Sequence, residues 1–130
     1  MTILEYIWLG GNKELRSKTK VFQGTICLEN LPEWNYDGSS TGQAIGSDSE
    51  IILKPRAVYK CPFRGDGNYI VMCDTYNRDG TPTDTNKRVE AVERFNKKLE
   101  EEPWYGIEQE YFIINPDTGK PLGFPFNGLP

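Results

Sequence analysis

Histidine is absent from all 130 residues. That excludes, within this chain, a Ser-His-Asp triad, a His-ligated zinc and an imidazole general base. Cysteine is scarce. Cys27, Cys61 and Cys73 are odd in number, widely spaced and without a Cys-x-x-Cys pair, so they read as reduced thiols, not as a zinc site or a disulfide framework. No basic run exists and the formal net charge is −4, which argues against a nucleic-acid surface. No apolar stretch approaches membrane-spanning length, and the N-terminus lacks a signal-peptide pattern. The expectation is a soluble, cytoplasmic protein with no membrane partner. Chemistry in this chain falls to carboxylates, Lys, Arg, hydroxyls and backbone groups.

What is present reads as strands first. Leu4–Leu9 is rich in strand formers, Gly10-Gly11-Asn12 marks a tight turn, and a second strand follows over Leu15–Phe22. Arg16, Lys18 and Lys20 alternate along that second strand and read as a solvated outer face. Glu33-Trp-Asn-Tyr-Asp-Gly-Ser-Ser-Thr-Gly-Gln-Ala44 follows Pro32 and reads as a polar surface loop with no obvious core to join. Its hydroxyls and backbone N–H groups can nest around a polar ligand, but the Gly-Lys-Ser/Thr ending of a P-loop is missing. Ile51–Leu53 reads as a short strand stopped by Pro55, with Ala57–Tyr59 beyond a kink. Tyr69–Cys73 is a strong strand continuing towards Tyr76. Four or five strands and almost no helix suit a small curved sheet.

Composition then changes. Residues 84–102 read as one helix, with Val89, Val92, Phe95 and Leu99 as its apolar stripe and Thr83, Asp84 or Thr85 as N-cap. Trp104–Ile114 reads as a buried strand with Gly106, Glu108, Glu110 and Phe112 on one face. Two residues of rise separate the acids by roughly 6.5–7 Å. Two like charges on an aromatic, β-branched strand need a cationic partner, and divalent ions with oxygen ligands would serve. The simpler reading, a half-exposed strand with both acids in water, stays open. Asn115–Gly119 reads as a hairpin turn, and Lys120–Pro130 as a loop.

Together the Glu33–Ala44 segment, Asp48-Ser-Glu, Leu53-Lys-Pro, Pro62-Phe-Arg, Cys73-Asp-Thr, Thr85-Asn-Lys-Arg and Trp104-Tyr-Gly-Ile-Glu-Gln-Glu-Tyr closely resemble the eukaryotic-type (type II) glutamine synthetases. The resemblance spans about Leu4 to Gly128, with the motifs in the family's order. It implies an α+β chain, with a β-grasp domain over residues 1–82 and the start of the family's α/β catalytic domain over 83–130. It implies an ATP-dependent ligase that joins glutamate and ammonia through γ-glutamyl phosphate. By the same resemblance Asp37 binds ammonium and helps remove its proton, and Ser39 and Ser40 border the substrate. Glu108 and Glu110 match metal ligands, one for each of two Mg²⁺ or Mn²⁺ sites. The resemblance further implies a ring-forming homo-oligomer whose active sites lie between subunits.

This sequence departs from the pattern in places. Gly10 stands where relatives often have Asp, and Lys60-Cys61 where they often have Pro-Asp. The family's later glutamates, its histidine ligand and the arginines that hold ATP and glutamate have no counterpart here. Each metal would keep one protein ligand, so the isolated chain is expected to be inactive. A non-catalytic β-grasp module, or a short paralogue that binds or regulates full-length subunits, is the alternative expectation. Arg64 and Arg88 are assigned packing or surface pairing only.

Overall fold

Alternation dictates the sheet. Leu4, Tyr6 and Trp8 point inward from one strand, Ile51 and Leu53 from another, Val71 and Cys73 from a third, and all are buried. The computed structural model describes residues 1–125 and Asn127, and divides the chain into two compact units, Met1–Lys97 and Lys98–Pro130. In the first unit five strands, β1 (Thr2–Leu9), β2 (Leu15–Phe22), β3 (Trp34–Asp37), β4 (Glu50–Lys60) and β5 (Tyr69–Asn77), form one sheet in the order β2-β1-β5-β4-β3. Only β1 and β5 pair in parallel, with Leu4 opposite Tyr69 and Ile7 opposite Met72. The segment after β2 supplies Ile26 and Leu31 to the core, and the Tyr6 hydroxyl donates to the Pro32 carbonyl at 2.8 Å. Burying each Leu or Val of this core contributes about 1.5–3 kcal/mol.

Several expectations are corrected here. Pro55 does not stop a strand. β4 runs through it with a bulge between Pro55 and Ala57, and Pro55 lies past Leu53, the last residue paired with β3, where a missing N–H is tolerated. The stretch before Asp37 does join the core: it forms β3, and Trp34 and Tyr36 pack inward. Trp34 meets Tyr6 edge-on at 5.4 Å, and Tyr36 stacks on Trp8 at 4.6 Å. Arg16, Lys18 and Lys20 are half-buried and lie opposite the inward-facing Trp8, Tyr6 and Leu4, so they are not a solvated outer face. Lys18 Nζ sits 3.7 Å and Lys20 Nζ 4.7 Å from the Trp34 ring centre, and Lys18 donates to the Asn35 carbonyl at 2.8 Å. Aromatic faces and carbonyls replace the water these cations would otherwise face. Burial, with the Lys20 charge beside it, lowers the Lys18 ammonium's pKa.

After β5 the chain folds back on itself. Thr83 N–H donates to Thr75 O at 3.2 Å and the Asn86 side chain donates to the same carbonyl at 3.0 Å. A single helix, α1 (Arg88–Asn96), follows; it is shorter than the 84–102 expected. Thr83 is occupied against Thr75, and the helix starts after Lys87 without a side-chain cap. Beyond Lys97 the run Glu100-Glu101-Glu102 opposes the dipole, and only a 3-10 turn forms over Leu99–Glu101. The helix is tied to the sheet by Asp74. Its Oδ1 accepts from Arg88 Nε and its Oδ2 from Arg56 Nε, each at 2.8 Å, while Arg56 also donates to the Tyr76 hydroxyl. Arg64 pairs with Glu5, so both arginines left to packing are in ion pairs.

In the second unit residues 104–113 carry no regular secondary structure, contrary to the expected buried strand. Trp104 is 95% and Ile107 92% exposed. A strand needs neighbours for its N–H and C=O groups, and among the described residues of the second unit the one β-pairing is an isolated bridge, Ile114 to Pro121. The turn at Asn115–Gly119 forms as expected: Asn115 N–H donates to Lys120 O and Gly119 N–H to Asn115 O, both at 2.9 Å. The loop expected over Lys120–Pro130 lies partly outside the described residues.

The Asp74 arrangement yields a stability prediction. Asp74→Asn keeps the shape but removes the charge that both guanidinium groups meet. Urea unfolding should show a loss of about 1.5–3 kcal/mol. A loss under about 0.5 kcal/mol would mean that the two arginines re-pair with water at no cost.

Candidate functional site

Asp37 closes β3 and opens a 3-10 turn over Gly38–Thr41. Pairing of Asp37 with Glu50 fixes where the strand ends. The Asp37 carboxylate then caps the turn: Oδ1 accepts from Ser39 N–H at 2.9 Å and from the Ser39 hydroxyl at 2.6 Å. Ser40 Oγ donates to the Asp37 carbonyl at 2.9 Å. Asp37, Ser39 and Ser40 are all exposed, while Gly38 and Thr41 are buried beneath them. The three residues expected to form one site are therefore brought together on one turn.

Glycine at position 38 is a packing requirement. A Cβ there would stand 2.5 Å from Ile51 Cγ1, and Gly38 N–H donates to Ser49 O. Gly11 is constrained similarly. Its N–H donates to Thr41 O at 2.9 Å, and a Cβ would meet that oxygen at 2.5 Å. The β1–β2 turn is thus pressed directly against the Asp37 turn. Arg16 Nη2 reaches the Ser40 carbonyl at 3.2 Å. The Asp37 segment lies at the surface but is bonded on both flanks.

The Ser39 hydroxyl, then the Ser39 N–H and the Ser49 hydroxyl, hold the Asp37 carboxyl below the usual aspartate pKa, against a smaller opposing effect of burial. At neutral pH the group is an anion. Burial pushes the Tyr36 phenol up to about 12, so it stays protonated and can only be a neutral donor or acceptor beside the turn.

Glu108 and Glu110 are exposed and lie in the irregular part of the second unit. Among the described residues no group of three or more His, Cys, Asp or Glu could hold a metal ion. Mg²⁺ takes six oxygens and keeps several as water, so one or two carboxylates hold it only together with further ligands such as substrate phosphates. Among the same residues neither glutamate is in an ion pair. A Cβ at Gly106 would meet nothing within 4 Å, as this whole stretch is exposed.

Gln43, Gly11 and Arg16 are contacts of the Asp37 turn that sequence reasoning misses. One signal points towards the turn's setting: Trp34-x-Tyr36 is a period-two aromatic pair running straight into Asp37, the pattern of a half-buried strand.

The Asp37 geometry predicts a titration change. Ser39→Ala removes the shorter of the two bonds to Oδ1, so the Asp37 carboxyl pKa should rise towards its ordinary value, read by carbon-detected NMR of the carboxyl carbon. A group held below its unfolded pKa contributes stability above that pKa, and the contribution is lost as pH falls through the folded value. The alanine variant should therefore lose stability relative to the parent above the aspartate range and match it at lower pH. An unchanged Asp37 titration would show that Ser39 does not bond the carboxylate.

Comparison with known proteins supplies the family. The family model described as "Glutamine synthetase, beta-Grasp domain" matches residues 2–78, ending at the close of β5. Glutamine synthetase root isozyme 3 of Zea mays is 53% identical over 132 residues, covering 98% of this chain. The chloroplastic glutamine synthetase of Brassica napus is also 53% identical over 98% of the chain, and the cytosolic isozyme 1-3 of Arabidopsis thaliana is 51% identical over the same share. The chain spans 37% of the maize and Arabidopsis relatives and 31% of the Brassica one. With the family model matching more than half of its residues, and with this sheet and turn in place, the chain belongs to the glutamine synthetase family and carries its β-grasp domain.

Proposed function

We propose that this chain supplies the ammonium-handling turn and two metal-ligating glutamates of a glutamine synthetase, which joins glutamate and ammonia at the expense of ATP through γ-glutamyl phosphate. The observation that carries this reading is the Asp37 turn itself: an exposed carboxylate, anionic and held by Ser39, on a backbone bonded on both flanks. A fixed anion binds ammonium as a cation at little reorganisation cost. Its depressed pKa suits that binding step. Accepting the proton requires the carboxylate to become more basic, which follows when a second surface covers the turn and removes water from it. The proton then passes from ammonium to Asp37, and the freed nitrogen lone pair attacks the activated γ-carbon, releasing phosphate. Ser39 and Ser40 present hydroxyls at the same edge to border the substrate.

The covering surface is proposed to be a neighbouring subunit in a ring-forming homo-oligomer, with residues 83–130 beginning the catalytic domain. Glu108 and Glu110 would each give one carboxylate to Mg²⁺ or Mn²⁺ in a site completed by residues outside this chain. A cytoplasmic setting suits ATP and glutamate as substrates. By itself the chain lacks a metal site among its described residues, and the isolated product is proposed to make no glutamine.

Three outcomes check this reading. The purified 130-residue chain should form no glutamine from glutamate, ATP and ammonium; turnover dependent on both ATP and ammonium would overturn its incompleteness. Joined to the remaining length of a maize-type relative, the chain should give an active enzyme in which Asp37→Asn raises the KM for ammonium about 10- to 100-fold, as loss of a charge-assisted contact implies. In that enzyme Glu108→Ala or Glu110→Ala should raise the metal concentration for half activity at least about tenfold. A normal metal response in either mutant removes that glutamate from the metal role.

A further inference from the structure

Gln43 cross-links the Asp37 turn to its surroundings. Its Oε1 accepts from the Tyr36 hydroxyl and from Thr41 Oγ1, the latter at 2.8 Å. Its Nε2 donates to the Leu9 carbonyl at 3.1 Å and to Thr85 Oγ1 at 3.2 Å. The Gln43 N–H donates to the Gly38 carbonyl at 2.9 Å. The amide cannot be turned over, because the Leu9 carbonyl only accepts and must face the NH₂. Both protons of Nε2 are thereby engaged, and Oε1 faces two hydroxyls, of which Thr41 Oγ1 shares its one proton with the Gly38 carbonyl at 3.0 Å.

These partners belong to four different parts of the first unit. Tyr36 is in β3, one residue before Asp37, and Thr41 ends the turn that Asp37 begins. Leu9 ends β1. Thr85 lies in the segment that folds back along β5 and leads into α1. The turn's other bonds outside itself run to Gly11, Arg16, Ala44 and Ser49, not to that segment.

We infer that Gln43 is a positioning residue: it sets the place of the Asp37 carboxylate and couples the Asp37 turn, through Thr85, to the chain entering α1. The inference deepens the proposed ammonium role of Asp37 and rests on it for its catalytic consequence, but not for its structural content. A shift of residues 83–88 is transmitted to the turn through two hydrogen bonds in series, Thr85 to Gln43 and Gln43 to Thr41. A change where the catalytic domain is proposed to start is thus felt at the ammonium site without contact between substrate and α1.

Gln43→Glu tests this with little change of shape. Both acceptor bonds can persist, but the two donor bonds are replaced by an oxygen facing the Leu9 carbonyl. In the 130-residue chain, amide hydrogen exchange should speed up about tenfold at Ser39, Gly42 and Gly11 while the β1 and β5 strand amides stay within about twofold. Turn amides that also stay within about twofold would overturn the inference. Thr85→Val is the second variant. It removes one bond, leaves Gln43 in place, and should speed the same amides about threefold; no change there would overturn the coupling to α1 even if Gln43→Glu failed to fold.

In the enzyme completed with a relative's remaining length, Gln43→Glu should raise the ammonium KM about tenfold with the glutamate KM within about twofold. Equal rises in both would overturn the positioning role in favour of general damage. If the turn amides respond to Gln43→Glu while Asp37→Asn leaves the ammonium KM unchanged, the ammonium reading falls and the structural coupling stands.

Discussion

Lys18 bridges the two outer edges of the sheet. β2 and β3 stand at opposite ends of the strand order, yet Lys18 on β2 lies over the Trp34 ring of β3 and donates to the carbonyl of Asn35. A flat sheet could not make that contact. The twist of its strands has to curl the sheet until its edges approach, and the cation–π contact holds them there. The aromatic interior follows from this closure. Tyr6 and Trp8, from β1, can meet Trp34 and Tyr36 only if the far edge has come round. The Asp37 turn, one residue beyond Tyr36, inherits its position from the same curl.

Polar groups in this unit tend to be shared between elements. Asp74 receives one guanidinium on each oxygen, from β4 and from α1. Gln43 joins β1, β3, the turn and residue 85. Such groups stabilise only when all their bonds are made, and so they select one arrangement of the elements around them. The second unit is held differently. Residues 104–114 carry large apolar side chains that are mostly exposed, and the Phe112–Phe124 contact is a local one.

Much of the first unit is legible in the sequence because its pattern is strong. β1 and β5 are long, rich in β-branched and aromatic residues, and meet Gly10 or Asn68 at one end, while β2 is marked by the alternation of Arg16, Lys18 and Lys20. The turn at Asn115–Gly119 is legible for its Asn-Pro-Asp-Thr-Gly chemistry. β3 is not, because four residues between a proline and a glycine-rich run give too short a period to register. Arg16, Lys18 and Lys20 mislead for a different reason. Polar-apolar patterning assigns a lysine to solvent, whereas its ammonium can be satisfied by a ring face and a carbonyl belonging to a segment far along the chain. Residues 104–114 read as a buried strand because burial is written into their side chains, but pairing depends on neighbours that a local pattern does not specify. The grouping of Asp37, Ser39 and Ser40 is legible from adjacency alone. The part played by Gln43 emerges only from the folded chain, since its partners lie up to 42 residues away.

The parallel pairing of β1 with β5 also sets an order of assembly. Ile3 bonds to Asn68, 65 residues later, and closing a loop of that length costs about 4 kcal/mol of chain entropy before any contact repays it. The β1–β2 and β4–β5 hairpins close over much shorter spans and can form as soon as they are made. Docking of one hairpin against the other is therefore the late event. On a ribosome, Tyr6, Trp8, Trp34 and Tyr36 would stay open to solvent until β5 had emerged. The first half of this domain is thus committed to waiting for the second, with its stickiest residues unprotected in the interval.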